Sequence, residues 1–337
     1  MTQTSDDSLA TLRHFRGVAD GQTDNSAAFA AYMDYLQGQG GGTLSVPDGA
    51  YGIGRTLTIV NGISLQMTPG ARILALPGFA GDVVVQTQPD AEWPKDQYII
   101  GGTIDGSKLP MVGLRIPKGL GITVQNLIVR NALKTGIEIG AERCHEVNLS
   151  SVRILVDRGV IAFPDSKGLH YIHGHDSQAR DVIVVGYETG VWCTGGSNNF
   201  HMIHVWNYDQ NISLRNCFCA AGPHNTYNQC YGDSPIVHAG EVGYGWYVAA
   251  PYTRVIACEI FANQWTVADT IIGIHLTPDA KECAFIGNHF WVGSPEQAGH
   301  PIDMRAAFDG ALEGSTFLAN TYTDHIHGGK VIALCSE

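Results

Sequence analysis

A four-residue motif that recurs along most of the chain constrains the fold more than any other feature. Its copies read GLRI at 113, GIEI at 136, GVIA at 159, GVWC at 190, NISL at 211, GWYV at 245, GIHL at 273 and PIDM at 301. Successive copies are 21 to 34 residues apart, and a second strand-like stretch lies between them. Short two-strand units repeated at a period of roughly 20–50 residues are typical of solenoids. Because these units are too short to carry crossover helices, we expect an all-β fold, a parallel β-helix.

One amphipathic helix is predicted near the start of the chain. Over residues 25–37 apolar side chains recur at helical spacing, and Gly38 ends the pattern. The residues in front of the helix resemble a ligand cluster and comprise Asp20, Thr23, Asp24 and Asn25. Short oxygen side chains also accept hydrogen bonds from the first turn of a helix, so we interpret this cluster as an N-cap and turn. The helix would then cover the open end of the solenoid.

The same N-terminal segment carries a family resemblance. ADGQTDNSAAFAAYMDYLQGQGGGTLSVPDGAYGI (19–53) resembles the opening of the pectate-lyase-like right-handed β-helix superfamily, with an Asp-Gly-x-x-Asp turn, a capping helix and a Gly-rich turn. IIGGTIDGSK (99–108) resembles an early coil of that group. The resemblance implies one right-handed parallel β-helix domain over residues 1–337, with the cap helix and first strands in 15–60 and the main coils in 97–325.

Members of this superfamily include polysaccharide lyases, polygalacturonase-type glycoside hydrolases, inulin fructotransferases, uronate epimerases and phage tailspike depolymerases. The resemblance therefore implies carbohydrate chemistry on a face of the solenoid, without selecting the reaction. The ordered motifs of polygalacturonases are missing around IHGHDSQARD (172–181). The stacked carboxylates of calcium-dependent pectate lyases are too few in adjacent coils, so we expect no metal and no cofactor, with calcium as an alternative that the residues do not support.

The third residue of each motif is predicted to point outward, because side chains alternate between the two faces of a strand. The predicted outward column is Arg115, Glu138, Ile161, Trp192, Ser213, Tyr247, His275 and Asp303. Trp and Tyr faces stack on sugar rings, and we interpret Trp192 and Tyr247 as a sugar platform. The alternative is a subunit interface, since tailspikes and fructotransferases of this superfamily are trimers.

Residues 165–300 are rich in His, Trp and carboxylates, and we place the active site there. Asp233 and Glu241 suit a general acid and base across a glycosidic bond. His173 and Asp176, in HGHD, and Tyr247 are further catalytic candidates, with turn chemistry as the alternative for HGHD. The predicted substrate-binding residues are Trp192, Trp206, His201, Arg215, Trp246 and His275. A local ion pair is the alternative role for Arg215.

The function predicted from these features is that of a carbohydrate-active enzyme that cleaves or rearranges glycosidic bonds. One mechanism is hydrolysis or transfer by two carboxylates, and the other is β-elimination or epimerisation by a base such as His or Tyr. A non-catalytic carbohydrate-binding or structural β-helix, as in virion fibres and adhesins, is the alternative.

The charge of the chain argues against two classes of partner. The net charge is −12 and the sequence shows no Lys/Arg cluster, which disfavours nucleic acids and anionic membranes. We expect a polysaccharide or oligosaccharide as the partner, with a homotrimer as an alternative assembly. The N-terminus lacks the pattern of a secretory signal, which predicts a cytoplasmic location, or a virion or extracellular one if a signal was removed. The eight Cys lie mostly in apolar patterns and are predicted to be small buried hydrophobes.

Overall fold

A computed structural model describes residues 10–89, 93–207, 213–233, 240–262, 271–293, 306–324 and 330–334. A short 3-10 helix, η1 (Leu12–Phe15), precedes the α-helix α1 (Ser26–Gly38), and the other regular elements are β-strands. None of the described helices is long and apolar enough to cross a membrane.

The strands follow one another along the whole described chain. The first are β1 (Asp20–Asp24), β2 (Gly42–Val46), β3 (Gly49–Ile59), β4 (Ile63–Met67), β5 (Ala71–Thr87), β6 (Tyr98–Ile100), β7 (Thr103–Leu109), β8 (Val112–Leu120), β9 (Thr123–Gln125) and β10 (Ile128–Ala132). Next come β11 (Thr135–His145), β12 (Asn148–Leu155), β13 (Lys167–Tyr171), β14 (Gly174–His175), β15 (Gln178–Val185), β16 (Thr189–Cys193), β17 (Asn199–Trp206), β18 (Asn216–Ala220), β19 (Thr226–Asn228) and β20 (Tyr231–Asp233). The last are β21 (Gly243–Val248), β22 (Arg254–Ile256), β23 (Glu259–Ala262), β24 (Ile271–Leu276), β25 (Ala284–Ile286), β26 (His289–Val292), β27 (Ala306–Gly310), β28 (Thr316–Leu318), β29 (Asn320–Asp324) and β30 (Lys330–Leu334).

Each strand pairs in parallel with the equivalent strand of the next coil, and only β29 and β30 pair antiparallel among the described elements. The ladders form three faces. Sheet A contains β8, β11, β13, β16, β18, β21, β24 and β27. Sheet B runs from β9 through β12, β15, β17, β19, β22 and β25 to β28, and sheet C from β10 through the second halves of β12, β15 and β17 to β20, β23, β26 and β29. The expected all-β parallel β-helix is confirmed.

Close packing requires the glycine that opens most copies of the motif. A Cβ at Gly190 would lie 2.2 Å from Cγ1 of Val205 and 2.6 Å from the carbonyl oxygen of Cys217 in the next coil. Gly136 and Gly168 are confined in the same way, each between a core side chain and the carbonyl of the following coil. Glycine at this position therefore lets successive coils of sheet A approach closely.

The core lies inside the three sheets and is lined by buried side chains from most of the strands. Residues such as Leu169, Val191 and Phe218 are fully buried there. All the described cysteines are buried and unpaired, as predicted for small hydrophobes. At the turn between sheets B and C, buried amides replace apolar groups. Asn288 accepts a bond from the Cys258 N–H (3.0 Å), and Asn320 accepts one from the Asn288 N–H (3.0 Å), which satisfies backbone groups inside the core.

The N-terminal acidic segment forms β1 and leads into α1, and local hydrogen bonds of its side chains hold it. Asp20 accepts hydrogen bonds from the backbone N–H groups of Gln22 (2.8 Å) and Thr23 (2.7 Å). These bonds, with that from the Thr23 hydroxyl, lower the pKa of Asp20 to about 2. Asn25 stands at the N-cap position of α1, but its side chain binds the turn, and the carboxylate of Asp24 accepts the Ser26 N–H instead.

Helix α1 caps the first coil. Its buried face, which contains Phe29, Tyr32, Met33 and Leu36, packs against β2 and β3. This arrangement confirms the predicted N-terminal capping helix.

Candidate functional site

The outer face of sheet A carries one column of side chains in parallel register. From the N-terminal to the C-terminal coil the column is Arg115, Glu138, His170, Trp192, Cys219, Tyr247, His275 and Asp309. The predicted outward placement of Trp192, Tyr247 and His275 is confirmed. Neighbouring strands in a sheet are about 4.8 Å apart, so the column runs along the solenoid axis in steps of that size.

The prediction is wrong for two residues of the column. Ile161 lies in the connection between β12 and β13, where it is 61% exposed, and His170 of β13 takes its place. Ser213 precedes β18, and Cys219 takes its place in the register. In both cases the true strand, GLHY (168–171) or CFCA (217–220), lies a few residues beyond the segment that was chosen.

The N-terminal end of the column is an ion-pair network. Nε of Arg115 donates to Oε1 of Glu138 (2.6 Å), and a terminal nitrogen lies 3.0 Å from Asp82. The cation is thus neutralised by two carboxylates, which suits a structural role.

Two coils further along, a cation and two rings meet. Nζ of Lys167 lies 4.6 Å from the centroid of the Trp192 ring, and the His170 ring meets the same indole edge to face at 6.2 Å. Burial, with a contribution from the Lys167 charge, lowers the pKa of His170 to about 4. His170 is therefore neutral at physiological pH and can accept or donate one hydrogen bond.

Tyr247, His275 and Asp309 form a cluster on three consecutive coils. The Tyr247 and His275 rings stack with centroids 5.4 Å apart, and Tyr244 approaches His275 at 5.3 Å. Nδ1 of His275 is buried and lies 3.8 Å from Oδ2 of Asp309. Asp303, which was predicted for this end of the column, lies outside the described residues.

Glu241 and Arg215 bind each other beside this cluster. Arg215 donates to Oε1 of Glu241 (2.8 Å), and the Ser213 hydroxyl donates to Oε2. The backbone N–H of Tyr244 in turn donates to the carbonyl of Arg215 (2.8 Å). The structure therefore shows Arg215 in a local ion pair, the alternative role considered for it above.

Asp233, the other predicted acid/base carboxylate, lies on another face. It ends β20 in sheet C, with Oδ2 4.0 Å from Nε2 of His204 and in register with Phe261 of the next coil. Glu241 precedes β21 of sheet A. The structure thus assigns the two carboxylates to different sheets at the two ends of one connection.

The remaining candidates are spread over other surfaces. His173 and Asp176 are exposed on the turn from sheet A to sheet B, where Asp176 lies 3.5 Å from Nδ1 of His145 and not beside His173 in a catalytic pair. His201 lies on sheet B and its Nε2 is 2.8 Å from Gln229, while Trp206 ends β17 in sheet C.

The prediction that Trp246 binds substrate is wrong. Only 1% of its surface is exposed, and its ring stacks on Phe218 in the core at 4.3 Å. Trp246 is the second residue of its motif, and alternation along the strand directs that residue inward.

Four residues of the site were missed by sequence reasoning, namely Lys167, His170, Tyr244 and Asp309. GLHY matches the same pattern of glycine followed by alternating apolar residues, so it carried a readable signal for His170. Asp309 had no such signal, because its strand, AAFDG, lacks the opening glycine. Tyr244 belongs to the site only because its ring approaches His275, a contact that the sequence does not reveal.

Comparisons with known proteins show which solved structures share this fold. No family model matches the chain, and no curated protein matches it. Among solved structures, the A-module of the mannuronan C-5 epimerase AlgE4 of Azotobacter vinelandii superposes with a TM-score of 0.66 at 11% identity, over 97% of this chain and 99% of that one. The AlgE6 A-module of the same organism gives 0.64 at 13% identity, over 94% of both chains. The tailspike of E. coli bacteriophage HK620, in complex with a pentasaccharide, gives 0.66 at 15% identity, over 94% of this chain and 67% of the tailspike.

The chain shares the parallel β-helix fold of these structures. At these identities the similarity extends to the course of the backbone and not to individual site residues. The function must therefore be argued from the side chains of this chain.

Proposed function

We propose that this protein binds an acidic polysaccharide along the outer face of sheet A and removes a proton from the carbon beside a sugar carboxylate. The observation that carries the proposal is the cluster of Tyr247, His275 and Asp309 on three consecutive coils. The similar solved structures add support, since they include two mannuronan epimerase modules and a tailspike in complex with a pentasaccharide.

The cluster provides a base, His275, and favours one tautomer of its ring. A carboxylate 3.8 Å from Nδ1 of His275 is too far for a good hydrogen bond, but its charge favours the tautomer with the proton on that nitrogen. Nε2 is then the basic nitrogen of the ring. Tyr247, stacked on the imidazole, supplies a hydroxyl that can deliver a proton to the developing intermediate.

Abstraction of this proton leads to two products. Loss of the glycosidic oxygen from the neighbouring carbon gives elimination, whereas return of a proton to the other face gives epimerisation. Arg215, in the coil next to Tyr247, is paired with Glu241, so it would neutralise the substrate carboxylate only by exchanging that partner.

Two-carboxylate hydrolysis is less well supported. It needs one carboxyl group that is protonated near neutral pH. Glu241 accepts hydrogen bonds from Arg215 and Ser213, so both of its carboxylate oxygens are already engaged by the protein. Asp233 belongs to sheet C, so the pair does not share the sheet A surface with Trp192 and Tyr247.

The test is turnover on a panel of uronate polysaccharides in deuterated water. Epimerisation should replace the sugar proton with deuterium, whereas elimination should remove that proton and give an unsaturated product that absorbs in the ultraviolet. Tyr247→Phe and His275→Asn should each lower the rate by about 100-fold or more, the usual contribution of a proton-transfer group.

Matched controls are available on the turns between sheets A and B. Tyr252→Phe and His224→Asn remove the same groups from a stacked surface pair, with centroids 4.5 Å apart, and should leave turnover unchanged. New reducing ends with neither deuterium incorporation nor an unsaturated product would indicate a hydrolase and refute the proposal. Binding without any turnover would instead indicate a carbohydrate-binding module.

A further inference from the structure

We infer that a cleft at the corner between sheets A and B is a second carbohydrate site, which binds a sugar residue carrying a carboxylate. The cleft has a volume of about 970 Å³ and is lined by residues that include Trp93, Lys95, Lys118 and His145. Arg143 lies beside it, with its guanidinium 5.4 Å from the centroid of the Trp93 ring.

The cations come together only through the register of the coils. Lys118 of β8 pairs with Arg143 of β11, and Leu120 pairs with both His145 and Lys95. The three full cations therefore lie on three successive coils, although 48 residues separate Lys95 from Arg143 in the sequence (143 − 95). This explains why the sequence shows no Lys/Arg cluster while the fold produces one.

A chain of contacts holds Arg143 in place. Its Nε donates to Nε2 of His145 (3.2 Å), and Nδ1 of that ring faces Oδ2 of Asp176 at 3.5 Å. The guanidinium carbon also lies over the Trp93 ring, 5.4 Å from its centroid. The terminal nitrogens of Arg143 have no acceptor among the described residues, so a pre-oriented pair of donors remains for a ligand.

The charge balance of the cleft is opposite to that of the protein. The chain has a net charge of −12, yet Lys95, Lys118 and Arg143 form no ion pair with any carboxylate that the structure describes. Glu146 is the carboxylate among the residues that line the cleft. The lining residues comprise two cations, Lys95 and Lys118, and one carboxylate. Beside the cleft, Arg143 is accompanied by the carboxylate of Asp176, so one positive charge is in excess and favours anions.

The other lining groups indicate a sugar and not a bare anion. The indole of Trp93 offers a flat apolar surface for the C–H face of a pyranose ring, and Asn61 offers an amide for hydroxyl groups. A uronate residue combines these features with a carboxylate for Arg143 and the lysines.

This site is separate from the proposed catalytic cluster. Arg143 lies on the β11 coil and Tyr247 on the β21 coil, four coils apart along sheet A, which corresponds to about 19 Å. Binding at the cleft can therefore be measured without turnover, and it does not depend on the catalytic proposal.

The experiment is calorimetric titration with tetramers of galacturonate, mannuronate and glucuronate, each compared with its neutral methyl ester, and with inorganic sulfate. At least one free acid should bind about tenfold more tightly than its ester, and should weaken as NaCl rises from about 50 to about 500 mM. The double variant K118Q/R143Q should lose about tenfold or more in affinity for the acid. Trp93→Leu should weaken binding of the tetramer and leave that of sulfate unchanged.

A matched double variant, R254Q/K281Q, removes the same two charges from the distant coils of sheet B and its turn, and should bind like the unmodified protein. Equal affinity for acids and esters, an unaffected K118Q/R143Q variant, or equal loss in R254Q/K281Q would overturn the site. Equal dependence of sulfate and tetramer on Trp93 would also overturn the assignment to a sugar. Tyr247→Phe should leave this binding intact, so that failure of the catalytic proposal is recognised separately.

Discussion

Burial on sheet A changes the acid–base behaviour of His170. Its pKa falls from 6.5 to about 4, first because burial disfavours the charged ring and second because Lys167 is close. Between these two values the unfolded chain binds a proton that the folded chain does not. The free energy of unfolding therefore decreases as the pH falls from about 6.5 to about 4.

We expect His170→Gln to reduce this acid sensitivity. Denaturant unfolding of the variant and of the unmodified protein at several pH values in that window measures the slope directly. His201→Gln, which alters a histidine hydrogen-bonded to Gln229 at the surface of sheet B, serves as the control. An unchanged slope in His170→Gln would show that His170 titrates normally in the folded protein.

At the scale of the element, the glycine column decides how closely the strands of sheet A can stack. Gly190→Ala would drive a methyl group into Val205 and the carbonyl of Cys217, and we expect a loss of about 2–3 kcal/mol in the free energy of unfolding. Gly38→Ala is the matched control, because a Cβ there meets nothing within 4 Å. Denaturant titration of both variants tests this, and equal effects would contradict the packing explanation.

The strands also show what the sequence could reveal. The motifs at 136, 190, 245 and 273 predicted strands of sheet A correctly, because these strands share an opening glycine followed by alternating side chains. GVIA (159–162) met the same pattern but belongs to a connection, and nothing local distinguishes it from GLHY, nine residues later. Which copy enters the sheet is decided by pairing with neighbouring coils, a non-local property.

The site was less predictable than the fold for a related reason. Alternation assigned Trp192, Tyr247 and His275 correctly, and its strict use would also have placed Trp246 in the core. The basic cleft could not be inferred, because Lys95, Lys118 and Arg143 become neighbours only once the lengths of two coils are known.

At the scale of the whole molecule, a solenoid has contacts mainly between adjacent coils. Each sheet strand pairs with the coil before it and the coil after it, and the terminal coil relies on α1 for cover. The stability of such a fold approximates a sum of nearest-neighbour terms, so a local defect can open one end while the rest stays folded.

We therefore expect Phe29→Ala, in the capping helix, and Phe218→Ala, in a central coil, to differ in the extent of their effects. Both side chains are fully buried, and each truncation should cost about 3–5 kcal/mol locally. Hydrogen exchange monitored by mass spectrometry should show faster exchange in Phe29→Ala confined to the first coils, with sheet A strands beyond residue 189 protected as before. Phe218→Ala, which also removes the stacking on Trp246, should raise exchange on both sides of β18. A uniform rise along the chain in both variants would show that the solenoid opens as one cooperative unit and that the cap stabilises the distant coils as much as the near ones.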